Sequence, residues 1–110
     1  MKPNQLLIAE IHMLLEPRQD LDARGWKRLE ELINRTQARF VERLRADYPM
    51  LSEEDVQIFM LVRAGLSSKE IACIGNITTK SLRMRRCRMK QKMGVCCENL
   101  VEFIRALYRE

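Results

Sequence analysis

The stretch "LSSKEIACIGNITTKSLRMRRCRMKQKMG", Leu66 to Gly94, decides the fold. Ser67 or Ser68 is placed to cap a short helix, with Glu70 in its first turn and Ile71, Ala72 and Ile74 pointing inward. Gly75 and Asn76 tolerate left-handed backbone and mark a tight turn. Thr78 or Thr79 then caps a second helix over about Lys80 to Met93, which Gly94 stops. A short helix, a tight turn and a longer helix form a helix-turn-helix, and the small Ala72 is where the two helices can approach closely.

The second helix has an unusual charge pattern. Between Ser81 and Gly94 it carries six basic residues and no acid, whereas a solvated helix face usually mixes the signs. At about 100° per residue, with Lys80 at zero, Leu82, Met89 and Met93 fall within about 40° of one another and define the buried side. Lys80, Met84, Cys87 and Gln91 lie opposite, with Arg83 and Arg88 at the edges, and Arg85 and Arg86 sit on the shoulders of the core stripe.

The basic residues therefore divide by role. In a helix-turn-helix the second helix lies in the DNA major groove. In that setting Lys80, Arg83, Met84 and Cys87 face base edges, and Arg83 can reach guanine through a bidentate contact. Arg88, Lys90 and Lys92 are expected on phosphate or along the groove wall, joined by Ser68, Lys69, Thr78 and Thr79 near the helix starts. Arg86, nearest the core, needs an acceptor; Glu70 on the preceding helix is the candidate, which gives both residues a structural role.

Outward from this stretch, the chain keeps reading as helices. Ser52 with Asp55 is a cap-and-acid pair opening a helix whose inner face is Val56, Phe59, Met60 and the stem of Arg63, and Gly65 ends it. "ENLVEFIRALY", from Glu98, is a final amphipathic helix with Leu100, Val101, Phe103, Ile104 and Leu107 apolar. Toward the N-terminus, Leu6, Leu7, Ile8, Ile11, Leu14 and Leu15 predict a short helix that Pro17 breaks. Asp20 or Asp22 then caps a long helix from about Ala23 to Asp47, with Trp26, Leu29, Ile33, Phe40 and Leu44 as its apolar stripe. That stripe packs on the rest of the domain, forms a dimer seam, or does both.

Composition narrows the function classes. Net charge is +5, but residues 1–79 carry −1 and residues 80–110 carry +6, so the basicity is local and suits a polyanion. Nucleic acid is the first candidate and an anionic membrane surface the second, although the N-terminal apolar patch, interrupted by Glu10 and His12, is too short and polar to span a membrane. Cys73, Cys87, Cys96 and Cys97 form no CxxC and lie far in sequence from His12, so neither zinc-ligand spacing nor a thiol–histidine pair is present. They read as reduced thiols of a cytosolic protein, with no cofactor and no metal. With one histidine, no paired acids in one segment and no Gly-rich phosphate loop, an enzyme is not expected.

The blocks Leu51-Ser52, Gly65 to Ala72, Ile77 to Leu82 and Lys92 to Val95 together resemble the LuxR/GerE-type helix-turn-helix, over about Leu51 to Leu107. Arg86, Arg88, Lys90, Lys92 and Gly94, with Trp26 and "FVERLRADYPMLSEED" (Phe40 to Asp55), look closest to the C-terminal output domain of Bacteroidetes tetratricopeptide-repeat regulators. Gly75 and Cys87 depart from the usual pattern. The resemblance implies an all-α fold: a four-helix LuxR-type domain at 49–110, preceded at 1–48 by one short and one long amphipathic helix that can serve dimerisation. It implies transcription regulation without catalysis, and double-stranded DNA bound by a homodimer with the helix 80–93 in the major groove. The alternative is a protein-interaction module of sigma-factor region-four type docking the transcription machinery, RNA polymerase included.

Overall fold

The computed structural model describes residues 3–16, 21–95 and 99–108, and all regular structure among them is helical. The helices are α1 (Pro3–Leu15), α2 (Ala23–Thr36), α3 (Phe40–Asp47), α4 (Glu53–Arg63), α5 (Ser68–Gly75), α6 (Thr79–Met93) and α7 (Leu100–Ala106). This is the all-α architecture expected from the sequence, with α4 to α7 as the helix-turn-helix unit. The expectations for Pro17, Asp20, Cys96, Cys97 and the side chains of Leu6, Leu7 and Ile8 lie outside the described residues.

Helix α4 is the centre of the molecule. Between Val56 and Val62 every side chain except Gln57 is buried, because α2, α3, α5 and α7 all pack around it. A helix that is apolar on all sides finds neighbours on all sides. One continuous apolar cluster results, running from Ile11 and Leu15 on α1 through Leu29, Ile33 and Phe59 to Ile104 on α7.

The long helix expected over 23–47 is two helices. Its start is as expected, with Asp22 capping α2 by accepting the Gly25 N–H at 2.7 Å. The chain then breaks after Thr36, where Ala38 and Arg39 take positive φ of 54° and 59°. Two non-glycine residues in the left-handed region cost roughly 1–2 kcal/mol each, so the break must be held by specific contacts. Asn34 Oδ1 accepts the N–H groups of Val41 (2.9 Å) and Glu42 (3.2 Å), supplying the cap that α3 lacks from its own first residue. Gln37 donates to the Arg63 carbonyl and accepts from Arg63 Nε at 2.6 Å. The bend turns Phe40, Val41 and Leu44 onto the core.

Arg63 ties the corner between α2 and α3 to the end of α7. Its guanidinium lies 4.2 Å from the Phe40 ring centroid and donates to the carbonyls of Ile104 and Leu107 at the end of α7. A cation at a helix C-terminus satisfies orphan carbonyls and matches the helix dipole. Tyr108 closes the same corner: its ring meets Phe40 edge-on at 6.0 Å, and its hydroxyl donates to Asp47. Arg45 forks between Glu30 on α2 (2.6 Å) and Glu53 on α4 (2.7 Å), joining α3 to both.

Gly94 ends α6 with φ of +67°, as its place in the sequence predicts. A Cβ there would meet no atom within 4 Å, so an alanine would suffer only from backbone strain. Gly94→Ala is expected to destabilise the protein by about 1–2 kcal/mol, read as a lower denaturant midpoint with an unchanged slope.

Candidate nucleic-acid interface

The helix-turn-helix is set by three local devices. Ser67 caps α5 in a reciprocal box: its Oγ accepts the Glu70 N–H at 3.2 Å and Glu70 Oε1 accepts the Ser67 N–H at 2.9 Å. Asn76 takes the left-handed conformation at φ 53° and reverses the chain, while the Ile77 N–H donates to the Ala72 carbonyl at 3.0 Å. Thr78 Oγ1 then accepts the Ser81 N–H at 3.0 Å and opens α6. Ser67 and Thr78 thus resolve the two alternatives left open for each cap.

On α6, Leu82, Met89 and Met93 are buried, whereas Lys80, Arg83, Met84, Cys87, Arg88 and Gln91 are exposed. Met84 is 51% exposed, an unusual position for a large apolar side chain. Among the described residues, Lys80, Arg83, Arg88 and Lys90 have no ion-pair partner. Lys69 and Thr79 are exposed at the starts of α5 and α6.

The other three cations of the helix are held by the protein. Lys92 Nζ lies 2.9 Å from Asp55 Oδ2. Arg85 Nη1 lies 3.0 Å from Glu54 Oε2 and 3.6 Å from Asp55 Oδ1. The Arg86 guanidinium donates to Ser68 Oγ, and Glu70 serves the α5 cap. Burial, with the positive charge of Arg83 nearby, lowers the Arg86 pKa from its ordinary value.

Asp55 is the feature the sequence shows least. It is 2% exposed, the one buried charged residue among those described. Its role as the acid of the α4 capping box is legible from Ser52 and Asp55, and Oδ2 accepts the Ser52 N–H at 3.0 Å. Its second role, receiving two cations from α6, joins residues 37 apart in the chain, as the Lys92 bond shows. Burial alone would raise the Asp55 pKa, but the bonds from Lys92 and Ser52 and the charge of Lys92 outweigh it and hold the carboxyl below its ordinary range.

A depressed carboxyl favours the folded state while it is ionised. Its contribution is therefore full above the unfolded value near 4 and is lost as pH falls through the lower folded value. Glu53, lowered by its bonds with Arg45, adds in the same window. In thermal melts, the stability advantage of the wild type over Asp55→Asn is expected to shrink progressively below about pH 4.

Cys73 and Cys87 are exposed free thiols, and His12 is exposed on α1. Among the described residues no group of His, Cys, Asp or Glu is arranged to hold a metal ion. No helix among them is long and apolar enough to cross a membrane.

A capped short helix, a left-handed turn and a longer helix with an outward sector of unpaired cations define a helix-turn-helix DNA-binding domain. The sequence pattern of the bacterial regulatory proteins, luxR family (GerE), matches residues 49–107, more than half of the chain. The chain belongs to this family, whose domain is the DNA-binding output module of transcription regulators. No curated protein and no solved structure matches the chain.

Proposed function

We propose that the chain binds double-stranded DNA sequence-specifically as the output domain of a bacterial transcription regulator, with α6 in the major groove. The observation that carries this reading is the sorting of charge on α6: three cations are tied to the fold, while Lys80, Arg83, Arg88 and Lys90 are left for a polyanion. Lys80, Arg83, Met84 and Cys87 face base edges in this reading; Arg83 reads guanine and Met84 packs on an apolar edge such as a thymine methyl. Arg88, Lys90, Lys69, Thr78 and Thr79 meet phosphate.

Residues 49–110 form the DNA-binding unit. Residues 1–48 brace it and offer a dimerisation surface, so that a homodimer presents two α6 helices about one DNA turn apart. In this reading the chain is an output domain like those of Bacteroidetes tetratricopeptide-repeat regulators, supported by Trp26 and the run from Phe40 to Asp55, and it acts in the cytoplasm with RNA polymerase as a further partner.

The test is fluorescence anisotropy with a mixed-sequence duplex across a salt series. Affinity is expected to fall steeply as salt rises, because bound cations release the counterions condensed on DNA. No binding even at low salt overturns the reading and favours a module that docks acidic protein surfaces.

A further inference from the structure

The anchoring of α6 is more specific than stability alone requires. Residues 85 and 92 are seven apart, two helical turns, so they lie on one flank of the buried stripe made by Leu82, Met89 and Met93. Both reach Asp55, which is buried and held in turn by the α4 cap. Arg86 lies on the opposite flank and is held by Ser68 of α5. The helix is thereby fixed against rolling about its own axis from both sides of its core stripe.

Roll matters for reading bases. A helix with side chains is about 10–12 Å across, so a 20° roll moves a side-chain tip by about 2 Å. Hydrogen bonds to base edges tolerate a few tenths of that. Charge matters as well. A cation that reaches phosphate adds affinity for every duplex alike, and so adds nothing to the ratio of specific to non-specific binding. Asp55 and Glu54 together balance Arg85 and Lys92, which otherwise flank the outward sector.

We propose that Asp55 is a positioning residue for sequence discrimination: it sets the roll of α6 and withdraws Arg85 and Lys92 from the DNA backbone. The inference rests on the DNA-binding reading given above. It makes a counter-intuitive claim, that removing one buried carboxylate tightens binding to arbitrary DNA while loosening the choice among sequences.

The experiment uses the full chain as wild type, Asp55→Asn, Asp55→Glu and Lys92→Gln, with two probes. One probe is a mixed-sequence duplex titrated across a salt series. The other is a random-sequence duplex pool from which bound sites are selected and sequenced. Wild type is expected to enrich a defined sequence pattern. Asp55→Asn is expected to bind the mixed-sequence duplex at least as tightly, with a salt slope steeper by about one to two units as the two cations are released, and to enrich weakly or not at all. Asp55→Glu restores part of the enrichment. Lys92→Gln, which removes a cation already occupied, leaves mixed-sequence affinity within about twofold and the slope unchanged.

A merely structural Asp55 would lower binding to both probes in parallel, and that result overturns the proposal. So does wild-type enrichment in Asp55→Asn, or a loss of about one unit of slope in Lys92→Gln, which stays informative even where Asp55→Asn fails to fold. A wild type that binds neither probe removes the DNA-binding reading itself, and this inference with it.

Discussion

Phe40→Ala is expected to destabilise the protein by about 3–5 kcal/mol, at the upper end for a single core truncation. Phe40 has no exposed surface and opens α3, the helix that the chain reaches only through two left-handed residues. Its ring is shared by three parts of the molecule. Tyr108 from beyond α7 meets it edge-on, the Arg63 guanidinium stacks on its face, and the cluster around α4 surrounds it. Truncation forfeits the transfer energy and leaves a cavity. It also strips the platform from an arginine that is bonded as well to Gln37 and to the carbonyls at the end of α7.

A domain of this size holds only about 5–15 kcal/mol in total. The loss should therefore appear as a fall of more than about 10 °C in melting temperature and a large drop in denaturant midpoint. Because one cluster runs from α1 to α7, the variant should still unfold in a single transition reported alike by helix content and by Trp26 fluorescence. A cost under about 1 kcal/mol, or a separate early transition at Trp26, would mean that α2 and α3 are not part of the core.

The Phe40 corner also shows why part of the fold was not legible in the sequence. Ile33 and Phe40 are seven residues apart, which is two turns of one helix, and the stripe through them reads as continuous. The same count accommodates a helix end, a turn through Ala38 and Arg39, and a new start, because both residues reach the core either way. Nothing local marks the break: neither Ala38 nor Arg39 is a residue that favours positive φ, and the cap comes from Asn34, five residues before Arg39. By contrast, the boundaries at Ser52, Ser67, Thr78, Gly65 and Gly94 were legible because each rests on a residue whose own chemistry makes the cap or the left-handed stop. On α6 the buried stripe and the exposed sector followed from angle alone. The partners did not. Sequence cannot say that a cation two turns along the helix meets a carboxylate on another helix, so neither the Lys92–Asp55 pair nor the bond from Arg86 to Ser68 is legible there.

That division of the cations sets the second large effect. Arg83→Ala with Arg88→Ala is expected to lower affinity for a mixed-sequence duplex by at least about tenfold at 0.1 M salt, and to flatten the salt dependence by about one to two units. Both side chains are exposed and have no ion-pair partner among the described residues, so folding stability should stay within about 0.5 kcal/mol of wild type. The like charge of Arg83 beside Arg86 even gives the replacement a small stabilising component.

Arg85→Ala is the necessary contrast. It carries the same formal charge change on the same helix, yet its guanidinium already sits between Glu54 and Asp55. Its removal takes a cation from a buried carboxylate and should lower stability, because an undercompensated buried charge is costly. The salt slope should barely move, since no phosphate contact is lost. If charge alone governed binding, the three arginines would be interchangeable and Arg85→Ala would shift the slope as much as either of the others. Equal shifts would show that the ion pairs on α6 dissolve when DNA arrives. Unequal shifts, with Arg83 and Arg88 carrying the loss, would show that the fold decides which of its cations the nucleic acid can reach.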